Sequence, residues 1–143
     1  PPDIVVSSKK NISLAYCNSK KLTPTILIDH HQLHRVFANL INNAIKAIEH
    51  KKGKINITLS SKKGFLLIKI SDNGVGIPKA KQPYIFEKFT QGSKTNNGAG
   101  GTGLGLAICS EIITRHQGKI WVEPNQDVGA VFCFYIPKWQ NTK

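Results

Sequence analysis

Four short stretches hold the residues best suited to chemistry. In NLINNAIKA, residues 39–47, Asn39 and Asn43 stand four apart and Lys46 follows one turn on, so a helix here carries two carboxamides and an ammonium on one face. Asn is a weak helix former because its side chain competes for backbone hydrogen bonds. Amide oxygens can ligate Mg2+ and an ammonium can meet a phosphate; a solvated helix face is the bland alternative. In Asp72-Asn73-Gly74-Val75-Gly76-Ile77, an acid closing the apolar run FLLIKIS is followed by two glycines. That places a carboxylate acceptor beside backbone that a flat ligand can approach, suited to an exocyclic amine such as that of adenine. Asn-Gly is also a very common plain turn. Ile85-Phe86-Glu87-Lys88-Phe89 sets two aromatic residues three apart before a polar stretch, where they can anchor the base of a loop.

The fourth stretch, Gly98-Ala99-Gly100-Gly101-Thr102-Gly103-Leu104-Gly105-Leu106, leads into a helical pattern. Successive backbone N–H groups at a helix N-terminus make an anion site, and glycines let phosphate oxygens come close. No Gly-Lys-Ser/Thr follows, which excludes a P-loop. Gly98, Gly100 and Gly103 satisfy G-x-G-x-x-G, with Glu123 placed as its acidic partner. A dinucleotide fold needs a strand directly before the first glycine, however, and QGSKTNN cannot form a buried one.

These residues need elements to hold them. Leu33, Val36, Phe37, Leu40, Ile41, Ala44, Ile45 and Ile48 recur at helical spacing, with Asp29 as N-cap and Gly53 ending the segment. NISLAYC (11–17), TILID (25–29), KINITLS (54–60), FLLIKIS (65–71), KIWVE (119–123) and AVFCFYI (130–136) read as strands. The third and fourth form a hairpin around SKKG, and Pro137 closes the last strand. Residues 102–116 read as a second helix, and 90–101 as a mobile loop. The fold expected is one α+β domain over 1–143, a two-layer sandwich of a mixed, mostly antiparallel sheet with helices on one face.

The chain has 143 residues and a formal charge of +12, from 20 Lys and Arg against 8 Asp and Glu. That excess calls for an anionic partner, but the lysines are scattered in pairs and no zinc-finger or aromatic RNA-binding pattern is present, so specific nucleic-acid reading is not expected. No apolar stretch approaches the ~20 residues of a membrane span. Cys17, Cys109 and Cys133 form no C-x-x-C pair and read as buried free thiols. His30, His31 and His34 cluster without a carboxylate or Cys at ligand spacing, which disfavours a metal.

In this order and spacing, the four stretches resemble the N, G1, F and G2 boxes of the histidine-kinase ATPases, in the wider group with gyrase B and Hsp90, over roughly residues 11–137. IFEKF and GTGLGLAI are similar to sensor histidine kinases in particular. The resemblance implies a Bergerat ATP-binding fold. It implies Asn43 as Mg2+ ligand with Asn39 near the same ion, Lys46 on the nucleotide phosphates, and Asp72 on the adenine amine with Gly74, Gly76 and Ile77 shaping the pocket. Phe86 and Phe89 would anchor an ATP lid spanning about 90–101, and Gly101, Thr102, Gly103, Leu104, Gly105 and Leu106 would meet the phosphates. Gln117 stands where relatives most often have glycine, which bears on a turn and not on the site.

The expected activity is therefore that of a two-component histidine kinase domain with ATP and Mg2+ as cofactors. Its partners would be a phosphoacceptor helical domain of the same parent protein and a response regulator. No His here has the phosphoacceptor context, so that segment is expected upstream and the domain alone is expected to be monomeric and inactive, from a homodimeric parent. The domain is expected in the cytoplasm, whether or not the parent is anchored in the inner membrane. An ATPase or serine kinase of the same fold, or a non-catalytic nucleotide module, are the alternatives. Asn39 stands where hydrolysing relatives usually carry Glu, which argues against the ATPase.

Overall fold

The computed structural model describes residues 4–5, 12–17, 26, 28–48, 52–87, 104–124 and 128–138. The apolar stripe of the first helical segment folds as α1 (His30–Ala47), and its Val36, Leu40 and Ala44 are fully buried. Asp29 caps it, accepting a hydrogen bond from the His31 N–H at 2.8 Å, so one orphan donor of the first turn is satisfied. The helix stops at Ala47. Gly53, expected to end the helical segment, instead opens the next strand.

Among the described residues six strands form one sheet: β1 (Ile4–Val5), β2 (Ile12–Cys17), β3 (Gly53–Lys62), β4 (Phe65–Asp72), β5 (Lys119–Pro124) and β6 (Ala130–Pro137), in the order β1-β2-β3-β4-β6-β5. The β2/β3 pair is parallel and the others are antiparallel, as the mixed sheet expected from the sequence requires. The β3–β4 hairpin pairs Lys62 with Phe65, and Gly64 takes φ +74° in its turn, which a residue without Cβ adopts freely. With a side-chain period of two, that register puts Ile55 and Ile57, Leu66, Ile68 and Ile70, and Phe132, Phe134 and Ile136 on one buried face. Helix α1 and a second helix, α2 (Gly105–Arg115), lie on that face. Phe37 of α1 meets Phe134 edge to face at 5.8 Å.

Within TILID, Ile26 forms an isolated bridge to Lys138 and Ile28–Asp29 lead directly into α1, while residues 25 and 27 lie outside the described residues. β1 was not foreseen, nor was the 3-10 turn Gln82–Tyr84; both are too short to show a period. Cys109 and Cys133 are buried free thiols, as expected. Burial, the largest cause in each, pushes them up to about 11 and about 12, so both stay protonated and unreactive near neutral pH. The Cys17 side chain, the expected lid, and Phe89, Gly101, Thr102 and Gly103 lie outside the described residues.

Helix α2 ends in a Schellman turn: Gly118 N–H donates to Ile113 O at 2.9 Å and Gln117 N–H to Thr114 O at 3.0 Å. Gln117 holds the left-handed position at φ +64°, where a side chain costs roughly 1–2 kcal/mol. Gln117→Gly is expected to raise stability by about 0.5–1 kcal/mol in urea unfolding, since relief of strain exceeds the added freedom of the unfolded chain. A loss of stability would show that the Gln117 side-chain bond to Arg115 O, at 3.1 Å, outweighs the strain.

Candidate functional site

Asp72 ends β4 on the helix-bearing face and is 2% exposed, the one buried charged side chain among the described residues. A buried carboxylate is costly unless hydrogen-bonded. Here the Gly74 N–H donates to its Oδ1 at 2.9 Å and the Ala130 N–H supplies a second bond. Burial raises its carboxyl above the usual carboxylate range, and those two N–H groups draw it part of the way back.

The loop after Asp72 is fastened on both sides. Asn73 Oδ1 accepts from the Lys54 N–H at 2.8 Å, and its Nδ2 donates to Lys52 O at 3.0 Å. On the other side, the Val75 N–H donates to Ala47 O at 2.9 Å, satisfying a carbonyl of the last turn of α1. A Cβ on Gly74 would stand 2.4 Å from that same Ala47 carbonyl oxygen, so the loop can press against α1 only as glycine. Gly76 has φ +76° and faces the Gly129 carbonyl. Ile77 is half-buried against the core. This docking brings Asp72 beside the turn of α1 that carries Lys46, which is exposed, and one turn back Asn43, which is half-buried.

Asn39 joins the two helices. Its Nδ2 donates to Gly105 O, in the first turn of α2, at 3.3 Å. The start of α2 therefore lies across from the amide row of α1, with Leu104 at the cap and Leu106 buried. No acidic residue occupies that first turn, and the positive end of a helix dipole favours an anion. Phe86 packs edge to face on Phe132 at 6.2 Å, an anchor at the point where the expected lid begins.

Among the residues expected at the site, the structure joins Asn39 to Gly105, and brings Gly74, in the loop after Asp72, against the end of α1 just past Lys46. His30, His31 and His34 are exposed at the far end of α1, and among the described residues no group of His, Cys, Asp and Glu could hold a metal. Ala130, whose backbone braces Asp72, Gly129 behind it, and Asn73 as an anchor were missed by the sequence reading. The glycine that precedes the last strand was their one visible sign.

The fold is an α+β sandwich with a buried carboxylate at the end of β4 and the start of α2 tied to α1 on the same face of the sheet. The family described as histidine kinase-, DNA gyrase B- and HSP90-like ATPase matches residues 28–140, and the chain belongs to it. The adaptive-response sensory kinase SasA of Prochlorococcus marinus (strain MIT 9301) is 39% identical over 118 residues, 82% of this chain and 32% of that protein. The chain thus spans about a third of the length of the SasA relatives it matches. Among solved structures, the catalytic domain of histidine kinase ThkA aligns with TM-score 0.75 at 33% identity, covering 91% of this chain and 81% of that one. Full-length ShkA in complex with AMPPNP aligns with TM-score 0.79 at 32% identity, covering 94% and 27%. ThkA has also been solved in complex with the response regulator protein TrrA.

Proposed function

We propose that this chain is the ATP-binding catalytic domain of a two-component sensor histidine kinase, and that it positions Mg-ATP for phosphoryl transfer to a histidine on a separate helical domain of its parent. The observation that carries this reading is the buried, twice hydrogen-bonded Asp72 carboxylate, locked to the helix that bears Asn39, Asn43 and Lys46. The AMPPNP complex of ShkA supports an adenine nucleotide as the ligand.

In this reading Asp72 accepts the adenine amine, while Gly74, Gly76 and Ile77 leave room for the ring. Lys46 and the backbone N–H groups from Gly101 to Leu106 meet the phosphates, and Phe86 and Phe89 hold the base of a lid over about 90–101. The hard amide oxygen of Asn43 suits Mg2+, which when bound would offset phosphate charge. Asn39 supports the cluster by tying α1 to α2, since its Nδ2 is committed to Gly105 O. Phosphoryl transfer depends chiefly on positioning and charge, so this domain needs no nucleophile of its own. The acceptor histidine belongs to the helical partner domain, and a response regulator is the onward partner, as TrrA is for ThkA.

Calorimetric titration with a non-hydrolysable ATP analogue, with and without Mg2+, tests the reading. Wild type is expected to bind more tightly with Mg2+, and Asn43→Ala to lose that gain while keeping Mg2+-free binding, a change of about tenfold for one lost ion contact. A folded wild-type domain that bound no nucleotide would end the proposal. So would an Asn43→Ala variant with full Mg2+ dependence, as far as the ligand assignment goes.

A further inference from the structure

Both helices cover one face of the sheet, and neither of them packs on the other face. The register gives that open face an aromatic row across three adjacent strands: Phe65 of β4, Tyr135 of β6 and Trp121 of β5. Phe65 and Tyr135 meet at 4.6 Å between ring centroids, and Tyr135 and Trp121 at 6.0 Å. Around the row stand Lys62, paired in register with Phe65, Lys119, paired with Tyr135, and Lys69, across β6 from Trp121. Lys62, Lys119 and Phe65 are exposed. The only described acid on this face is Glu123, 3.9 Å from Lys69 and accepting the Trp121 indole N–H at 2.9 Å. Lys46, the lysine assigned to nucleotide phosphate, lies on the opposite side, so that assignment leaves this positive field unanswered.

We propose that the open sheet face docks an acidic protein surface with an apolar centre. An aromatic centre inside a charged rim is the anatomy of a protein interface, and the sign of the rim sets the sign of the partner. A second copy is disfavoured by charge, because each chain carries a formal +12 and like fields repel. Single-stranded nucleic acid is disfavoured because stacking needs free ring faces. Here the rings are turned edge to face on one another, the indole donor is already used, and a carboxylate stands among them.

The test titrates the full 143-residue chain with a poly(Glu,Tyr) copolymer, with poly-glutamate of equal charge, and with oligothymidylate, reading amide shifts and the Trp121 indole signal. The copolymer is expected to bind about tenfold more tightly than poly-glutamate, since only it fills the apolar centre, and to shift the outward residues of β4, β5 and β6. Lys62→Glu/Lys119→Glu should weaken it by roughly tenfold or more while leaving ATP-analogue binding unchanged, which separates this surface from the nucleotide site. Shifts confined to α1, an unchanged affinity in the double variant, or tighter binding of oligothymidylate at this face would each overturn the proposal.

Discussion

Replacing Asp72 by Asn is expected to weaken binding of a non-hydrolysable ATP analogue by roughly 10- to 100-fold, the equivalent of one hydrogen bond to a charged group at about 1.5–3 kcal/mol. The carboxamide keeps the shape, and its oxygen can still accept from the Gly74 N–H. It loses the charge and replaces one acceptor oxygen with an NH2 donor, which cannot accept from the adenine amine. A folding defect would confuse this result, so urea unfolding of the same variant is the control. Removing a buried charge leaves stability within about 1 kcal/mol of wild type, or raises it, provided the two bonds survive. Unchanged nucleotide affinity in a folded Asp72→Asn protein would remove Asp72 from the site.

The same carboxyl predicts two pH responses of opposite sign. Its folded-state pKa is raised, so between the ordinary carboxylate pKa and that raised value the native protein binds more protons than the unfolded chain. Asp72 therefore contributes to stability a term that is present at low pH and is lost as pH rises through the raised pKa. Nucleotide affinity follows the ionised form and falls as pH drops through the same point. Asp72→Asn should flatten both profiles. Affinity that stayed constant down to the ordinary carboxylate range would show that the ionised form is not the acceptor.

How far these features were legible in the sequence depended on whether they are local. Val36, Leu40 and Ala44 announce α1 by spacing alone, and the strands that pair across the sheet all alternate or run apolar, so the two-layer sandwich could be read directly. Asp72 was visible because an acid closing an apolar strand before two glycines is unusual. What was illegible is tertiary. The TILID segment has β-favouring residues, yet Ile26 makes an isolated bridge to Lys138 and Ile28–Asp29 already lead into α1. Asn39 reads as one more amide on a helix face until α2 is in place to receive its hydrogen bond from 66 residues away. Asn73 reads as a turn residue, whereas its side chain closes onto Lys52 and Lys54.

Gly129→Ala is expected to be the most disruptive single methyl in the described protein, costing about 3–5 kcal/mol and with it the nucleotide site. Gly129 has φ +97°, beyond the small left-handed region that side chains tolerate. A Cβ there would stand 2.0 Å from the Asp72 carbonyl oxygen and 2.9 Å from the Asn73 Cα. Backbone is on the receiving side of both contacts, so no rotamer change relieves them. The chain must instead back away from Asp72, and Ala130, which braces its carboxylate, is the next residue. Gly64→Ala supplies the comparison: φ is +74° and nothing lies within 4 Å of the added Cβ. It should lose only the conformational cost of roughly 1–2 kcal/mol and leave nucleotide binding intact. Equal losses in the two variants, measured by urea unfolding and analogue titration, would mean that strain at φ alone governs Gly129. A larger loss at Gly129, with weakened binding in the fraction that stays folded, would mean that close packing behind Asp72 holds the carboxylate in place.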